Sequence, residues 1–366
     1  MKTTALYKAT HIVLLLVLVT AALYFTRSVL IPLTFAAILA MLLMPLSKKL
    51  ESKGVNCALS ALISILVLLL SFALIGAVLS WQLSDFTKDL SGIEQKATDF
   101  LKQIQEYINS RFGIAPQKQQ EILKQQSEQG GSSAKLIANI TSTFVNLAVN
   151  IILVLVYIFL FLYFRGHLKK FLLKVSPVTQ RENINRITSE ASKVSQQYLT
   201  GLAMMIGTLW ILYSIGFSII GVKYAIFFAV LCGLLEIIPF IGNLTGTTLT
   251  IVMSLVQGGD VKMAIGILVT YGLIQFIQTY ILEPVIVGNE VNINPVFTIV
   301  GIVAGEALWG IAGMVLAIPM LGIAKIVCDH FEPLKPYGFL LGQEKHKKKT
   351  RSWQNIKDFF SSKRKR

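Results

Sequence analysis

Long apolar runs separated by charged stretches set the frame of this chain. His11–Phe25, Val29–Leu46, Ala58–Trp81, Thr141–Phe164 and Met204–Gly221 are followed by Tyr224–Gln257, Val261–Leu282 and Pro295–Cys328. At ~1.5 Å of rise per residue, about 20 apolar residues cross a hydrocarbon core about 30 Å thick. The pattern predicts an all-α integral membrane protein with about eight membrane segments. The first run follows Lys2 and Lys8, but AALYFTRS offers no small-residue cleavage site. A retained helical hairpin with the second run is expected rather than a removed leader.

The polar stretches divide the chain further. Residues 1–81 hold the first membrane helices, and 82–140 form an insert with balanced charge. In that insert Leu90, Ile93, Ala97, Phe100, Leu101, Ile104 and Ile108 recur at helical spacing, which predicts an amphipathic lid or packing element. A membrane helix over 141–164 is followed by 165–200, with seven Lys/Arg against two Glu and apolar steps that predict two amphipathic helices. Residues 201–328 make the candidate core, and 329–366 a basic tail containing HKKK and KRKR. Lys48, Lys49, Lys53, the 165–200 stretch and the tail all point to the cytoplasm by the positive-inside rule. Both termini are then cytoplasmic and the insert external.

The core contains two segments too long for one crossing and too broken for two. Tyr224–Gln257 has 34 residues, about 51 Å of helix, and a break at Pro239 and Gly242 leaves arms of ~21 Å. Pro295–Cys328 is broken near Trp309 and Gly310. Each is expected to be a re-entrant hairpin, the first from outside and the second from inside. The C-terminal half is thus read as two inverted helix-plus-re-entrant-hairpin units, with Glu236, Pro239, Ile241 and Gly242 corresponding to Glu306, Trp309, Ile311 and Gly313.

Each hairpin carries a glutamate just before its break, Glu236 and Glu306. A carboxylate in hydrocarbon is expensive, and an intramembrane ionisable residue marks a functional site by default. Asn243 and Thr247 follow the first break, while Gln275 and Gln278 lie one turn apart on the intervening helix. If the two tips meet at mid-depth, these groups and both carboxylates surround one small cavity for a polar solute or a cation. The competing reading makes the same residues interhelical glue in a non-transporting membrane scaffold.

Composition agrees with the pattern: 54% of residues are apolar and 14% charged, against roughly 45–50% and 25% in soluble domains. The net charge of +15 falls in loops and tail rather than on one face of a soluble domain, so no nucleic acid is expected. Cys57, Cys232 and Cys328 are far apart, without a CxxC. Neither a disulfide framework, a metal site nor a cofactor is predicted, and GFSIIGVK lacks the ending of a phosphate loop. The chain is expected not to be an enzyme.

GLLEIIPFIG with the preceding GVKYAIFFAV, and ILEPVIVGNEVNINPVFTIVGIVAGEALWGIAGMVLAIPM, resemble the signature regions of the autoinducer-2 exporter family, bacterial transporters formerly grouped as permease-like proteins. RSVLIPLTFAAILAMLLMPLSKKLE is similar to that family's second membrane segment. The chain departs at Asn243, where many members have proline. The resemblance implies functional weight for Glu236, Pro239 and Gly242 in the first motif, and for Glu283, Pro284, Gly288 and Pro295 in the second. It also implies homo-oligomeric, pentameric assembly in the inner membrane. Members of the family are assigned export of the furanone signal autoinducer-2 or sodium(lithium)/proton exchange, so the resemblance implies a transporter without fixing its substrate; with Glu236 placed to take up and release a proton, the leading expectation is proton-coupled export of a small polar solute such as autoinducer-2, the alternative sodium(lithium)/proton antiport. The expected partners are that solute or monovalent cation, protons and the lipid bilayer.

Overall fold

The computed structural model describes residues 2–88, 133–239, 241–287 and 293–343. The amphipathic helix expected in the insert, the HKKK and KRKR runs of the tail and Gly288 lie outside the described residues. Helices α1 (Lys2–Phe25), α2 (Arg27–Glu51), α3 (Cys57–Lys88), α4 (Ser133–Val175) and α5 (Arg181–Ile220) lead to a first pair, α6 (Ala225–Leu235) and α7 (Ile241–Val256). Then α8 (Val261–Ile277) runs into a π-helical stretch, Gln278–Val287. A second pair follows, α9 (Pro295–Trp309) and α10 (Ile311–His330), and α11 (Lys335–Leu341) closes the described chain. Among the described residues six helices are long and apolar enough to cross a membrane: Arg27–Glu51, Cys57–Trp81, Ala148–Val175, Val178–Ile220, Val261–Glu283 and Ile311–His330. With the shorter apolar helices they make an all-α membrane protein.

Two expected interruptions are absent. The two helical stretches expected over 165–200 are present, but neither is separate from a membrane helix, because α4 continues to Val175 and the remainder is the start of α5. Charge alone does not end a helix; Pro177 does, with a single 3₁₀ turn at Val178–Gln180 before α5 begins. Nor do α1 and α2 form a hairpin. Thr26 alone separates them, at φ −94° and ψ 9°, and the N–H of Thr26 still bonds the carbonyl of Ala22 at 3.0 Å. One residue so close to helical geometry kinks the chain and cannot reverse it.

Small residues bring α2, α3 and α4 together. Ala36, Ala40 and Ala61 are buried against Ile65, Ile158 and Leu162, the close backbone approach that membrane helices use where lipid is as apolar as Leu. Pro45 in α2 has no N–H for the carbonyl of Met41, and Gln196 of α5 fills that gap, its Nε2 donating to Met41 O at 2.8 Å. At the end of α2, Arg165 of α4 pairs with Glu51 and bonds Ser47 Oγ at 3.3 Å. A polar clamp therefore closes the basic end of an otherwise apolar bundle.

The long α5 organises everything after it. Its buried residues Met205, Leu209, Tyr213 and Phe217 recur every fourth position and pack on Phe228, Ala229 and Cys232 of α6 and on Ile267 and Ile274 of α8. Near its C-terminal end, Gly216 faces Thr270 and Ile220 faces Gly266, so α8 starts beside the place where α5 stops. The α6–α7 pair, lying between them in sequence, therefore begins and ends at that end. The second pair is tied to the other end. Ile187 and Ala191 near the start of α5 pack on Ile326 of α10, Asn183 Nδ2 donates to His330 O at 3.2 Å, and Asn294 N bonds Leu341 O at 2.8 Å. The two hairpins open in opposite directions along α5.

Candidate functional site

The first hairpin breaks where the sequence places glycine and proline. α6 ends at Leu235 with Glu236 as its C-cap, the N–H of Glu236 bonding Cys232 O at 3.1 Å. Pro239 lies in the non-helical turn, and α7 resumes at Ile241. The return is tight: a Cβ on Gly242 would overlap the carbonyl of Leu235, and one on Gly246 would crowd Cys232. Only hydrogen at these positions lets the two arms lie backbone to backbone.

Glu236 then meets the end of α8, and Asn243 meets α5 and α8. Gln278 Nε2 donates to Glu236 Oε1 at 2.6 Å. Tyr213 OH donates to Asn243 Oδ1 at 3.0 Å, and Asn243 Nδ2 donates to Gln275 Oε1 at 2.5 Å. Gln278 begins the π-helical stretch, whose wider turn is a frequent mark of functional positions. Asn243, Thr247 and Gln278 keep 5%, 3% and 3% of their surface exposed, so lipid does not reach them. Among the described residues, three buried oxygens here have no hydrogen-bond partner: Glu236 Oε2, Gln278 Oε1 and Thr247 Oγ1. Among the described residues Glu236 also has no basic partner.

The second break is equally sharp. Gly310 takes φ 62° and ψ −142°, open to glycine, and Gly305 and Gly313 on its two sides touch backbone to backbone. Asn294 caps α9, its Oδ1 accepting from Val296 N at 3.0 Å, and Pro295 occupies the first helical position where no N–H is needed. Trp309 is held from outside the hairpin: its indole N–H donates to Leu23 O of α1 at 3.0 Å. That carbonyl is available because the helix kinks at Thr26.

The predicted residues are not all brought together. Glu236 is bonded to Gln278, and Asn243 to Tyr213 and Gln275, with Gln275 and Gln278 one turn apart and Thr247 buried one turn from Asn243 on α7. Glu306 does not join them. It sits on an exposed face of α9, and the first tip reaches the second hairpin through Ile238, packed on apolar Ile302, Met314 and Ala317. The expected chamber ringed by both carboxylates is therefore replaced by an apolar contact. Glu283 is exposed and Pro284 lies within the π-helical stretch. Sequence reasoning missed Tyr213, whose signal was its place in the fourfold series Met205, Leu209, Tyr213, Phe217.

The profile of AI-2E family transporters matches residues 13–332. The chain belongs to the AI-2E transporter family. YrrI of Bacillus subtilis (strain 168) is 23% identical over 318 residues, covering 83% of this chain and 87% of its own. PerM of Escherichia coli (strain K12) is 26% identical over 324 residues, covering 86% and 92%. MT0215 of Mycobacterium tuberculosis (strain CDC 1551 / Oshkosh) is 25% identical over 307 residues, covering 80% of each. Their names assign YrrI and MT0215 to transport and PerM to the permeases, without a substrate. This AI-2E family member is thus an integral membrane protein of a transporter family, with its polar cluster at the break of its first hairpin.

Proposed function

We propose that the protein is a secondary transporter that exports a small polar solute with proton coupling through Glu236, and that autoinducer-2 is the solute to test first. The observation that carries this reading is the trio of buried, unpartnered oxygens, Glu236 Oε2, Gln278 Oε1 and Thr247 Oγ1. A buried carboxylate oxygen without a donor is costly. A proton on Glu236, or a hydroxylated cargo donating to the group, removes that cost. Each change of occupancy then shifts the balance between conformations, which is the requirement for coupling. Tyr213, Asn243 and Gln275 provide fixed hydrogen-bonding groups beside it for a solute with several hydroxyls.

Opposed hairpins support alternating access, with α5, α8 and the hairpins moving against a scaffold of α2, α3 and α4. The clustering of Lys48, Lys49, Lys53, Lys169, Lys170 and Lys174 at one end supports an inner-membrane orientation with that end in the cytoplasm. Exposed apolar faces on α1, α3 and α8 leave room for the homo-oligomer that the family resemblance implies.

A second reading, sodium(lithium)/proton antiport, is favoured by the same oxygens, since Oε2 of an ionised Glu236 and Gln278 Oε1 accept hydrogen bonds or coordinate a cation. Proteoliposomes with an internal pH dye separate the two. Solute export predicts movement of labelled furanone together with protons, insensitive to sodium and lithium, and Glu236→Gln is expected to abolish the proton signal. Proton release on adding sodium or lithium without furanone flux selects antiport. Normal coupled transport by a folded Glu236→Gln protein overturns both.

A further inference from the structure

A groove of about 750 Å³ opens between α2, α4 and α5, and none of the residues around Glu236 lines it. Its floor is apolar, with Met41, Met44, Leu162 and Leu172 among the lining residues. Its polar wall carries Lys48, Arg165, Lys169 and Lys193 and, among the described residues, no acidic side chain. Arg165 is already neutralised by Glu51. Among the described residues Lys48, Lys169 and Lys193 make no ion pair, and all are exposed. The groove lies where the apolar body of α4 gives way to its basic end, the depth at which lipid phosphates sit. A carbonyl that could have made its floor polar is covered, because Gln196 caps Met41 O at the Pro45 gap.

We propose that this groove is a discrete site for one anionic glycerophospholipid, its phosphate held by Lys48, Lys169 and Lys193 and its acyl chains laid along Met41, Met44 and Leu172. The charge pattern selects the occupant. A zwitterionic lipid brings its own cation against three lysines, whereas an anionic headgroup meets three donors and no competing carboxylate. An apolar protein segment would leave the lysines unpaired, and free phosphate would leave the floor uncovered. The lysine stems reach along the apolar wall while their ammonium groups stay at the headgroup level.

Native mass spectrometry of the purified full chain in an uncharged detergent tests this by titration with phosphatidylglycerol, phosphatidylcholine of the same chains, and inorganic phosphate. Saturable retention of one phosphatidylglycerol per protomer is expected. The triple variant Lys48→Gln, Lys169→Gln, Lys193→Gln should bind it at least tenfold more weakly, while a control triple, Lys53→Gln, Lys170→Gln, Lys174→Gln, stays within about twofold. Met44→Trp, which fills the groove and keeps every charge, should exclude the lipid as well. Equal binding of phosphatidylcholine, equal loss in both triple variants, or phosphate that binds as tightly as the lipid overturns the proposal. So does a groove triple that changes protomer count while its lipid affinity stays the same, since the face would then belong to a second copy.

Discussion

Hydrogen at Gly242 decides the geometry of the candidate site, because it lets α7 fold back onto the carbonyl of Leu235, the residue before Glu236, and so fixes where Asn243 starts. Gly242→Ala places a methyl group on that carbonyl. Overpacking of this kind costs about 1–3 kcal/mol, so the thermal midpoint in detergent should fall by several degrees and transport should fall with it. An unchanged midpoint would mean that the two arms are further apart than described. Tyr213 illustrates a different residue-scale lesson. Its ring belongs to the apolar core with Phe217, and only its hydroxyl, bonded to Asn243, belongs to the site. A pattern that counts tyrosine as apolar sees the first role and not the second.

At the scale of single elements, proline and its replacement donor make a sharp test. Pro45 leaves Met41 O without its helical partner, and Gln196 supplies one from α5. Gln196→Leu should destabilise the bundle by about 0.6 kcal/mol, the usual worth of such a bond in membrane. In a Pro45→Ala background the backbone N–H returns, and the same Gln196→Leu change should then cost nothing measurable in thermal melts. Equal costs in both backgrounds would deny the compensation. The same elements show what the chain makes legible. Both hairpin breaks could be read because glycine and proline leave a residue-level mark, and the Asn243, Gln275 and Gln278 cluster because polar side chains stand out in apolar helices. Glu306 could not be placed in this way. Its acidity is visible in one dimension, but whether it faces a neighbour or the outside of α9 depends on the helix's rotation, which only packing fixes. The kink at Thr26 was hidden for a similar reason, since a short polar stretch looks like a loop until its backbone bonds are known.

At the scale of the whole molecule the two hairpins open toward opposite ends of α5, and this can be checked without knowing the cargo. In a background with Cys57, Cys232 and Cys328 replaced, Val261→Cys at the root of the first hairpin should react with a membrane-impermeant thiol reagent from one side of sealed vesicles. Glu332→Cys, just beyond the second hairpin, should react only from the other. Reaction of both from one side would remove the opposed arrangement and the alternating-access reading with it.

The bond between Trp309 and Leu23 ties the tip of the second hairpin to α1, a helix whose side chains from Ile12 to Val19 all lie open to its surroundings. Any swing of that tip drags a lipid-facing rod through the surrounding acyl chains. Turnover should therefore slow in thicker or stiffer bilayers, and a chain begun at Arg27 should lose that sensitivity, because nothing then couples the hairpin to the viscosity of the membrane around it.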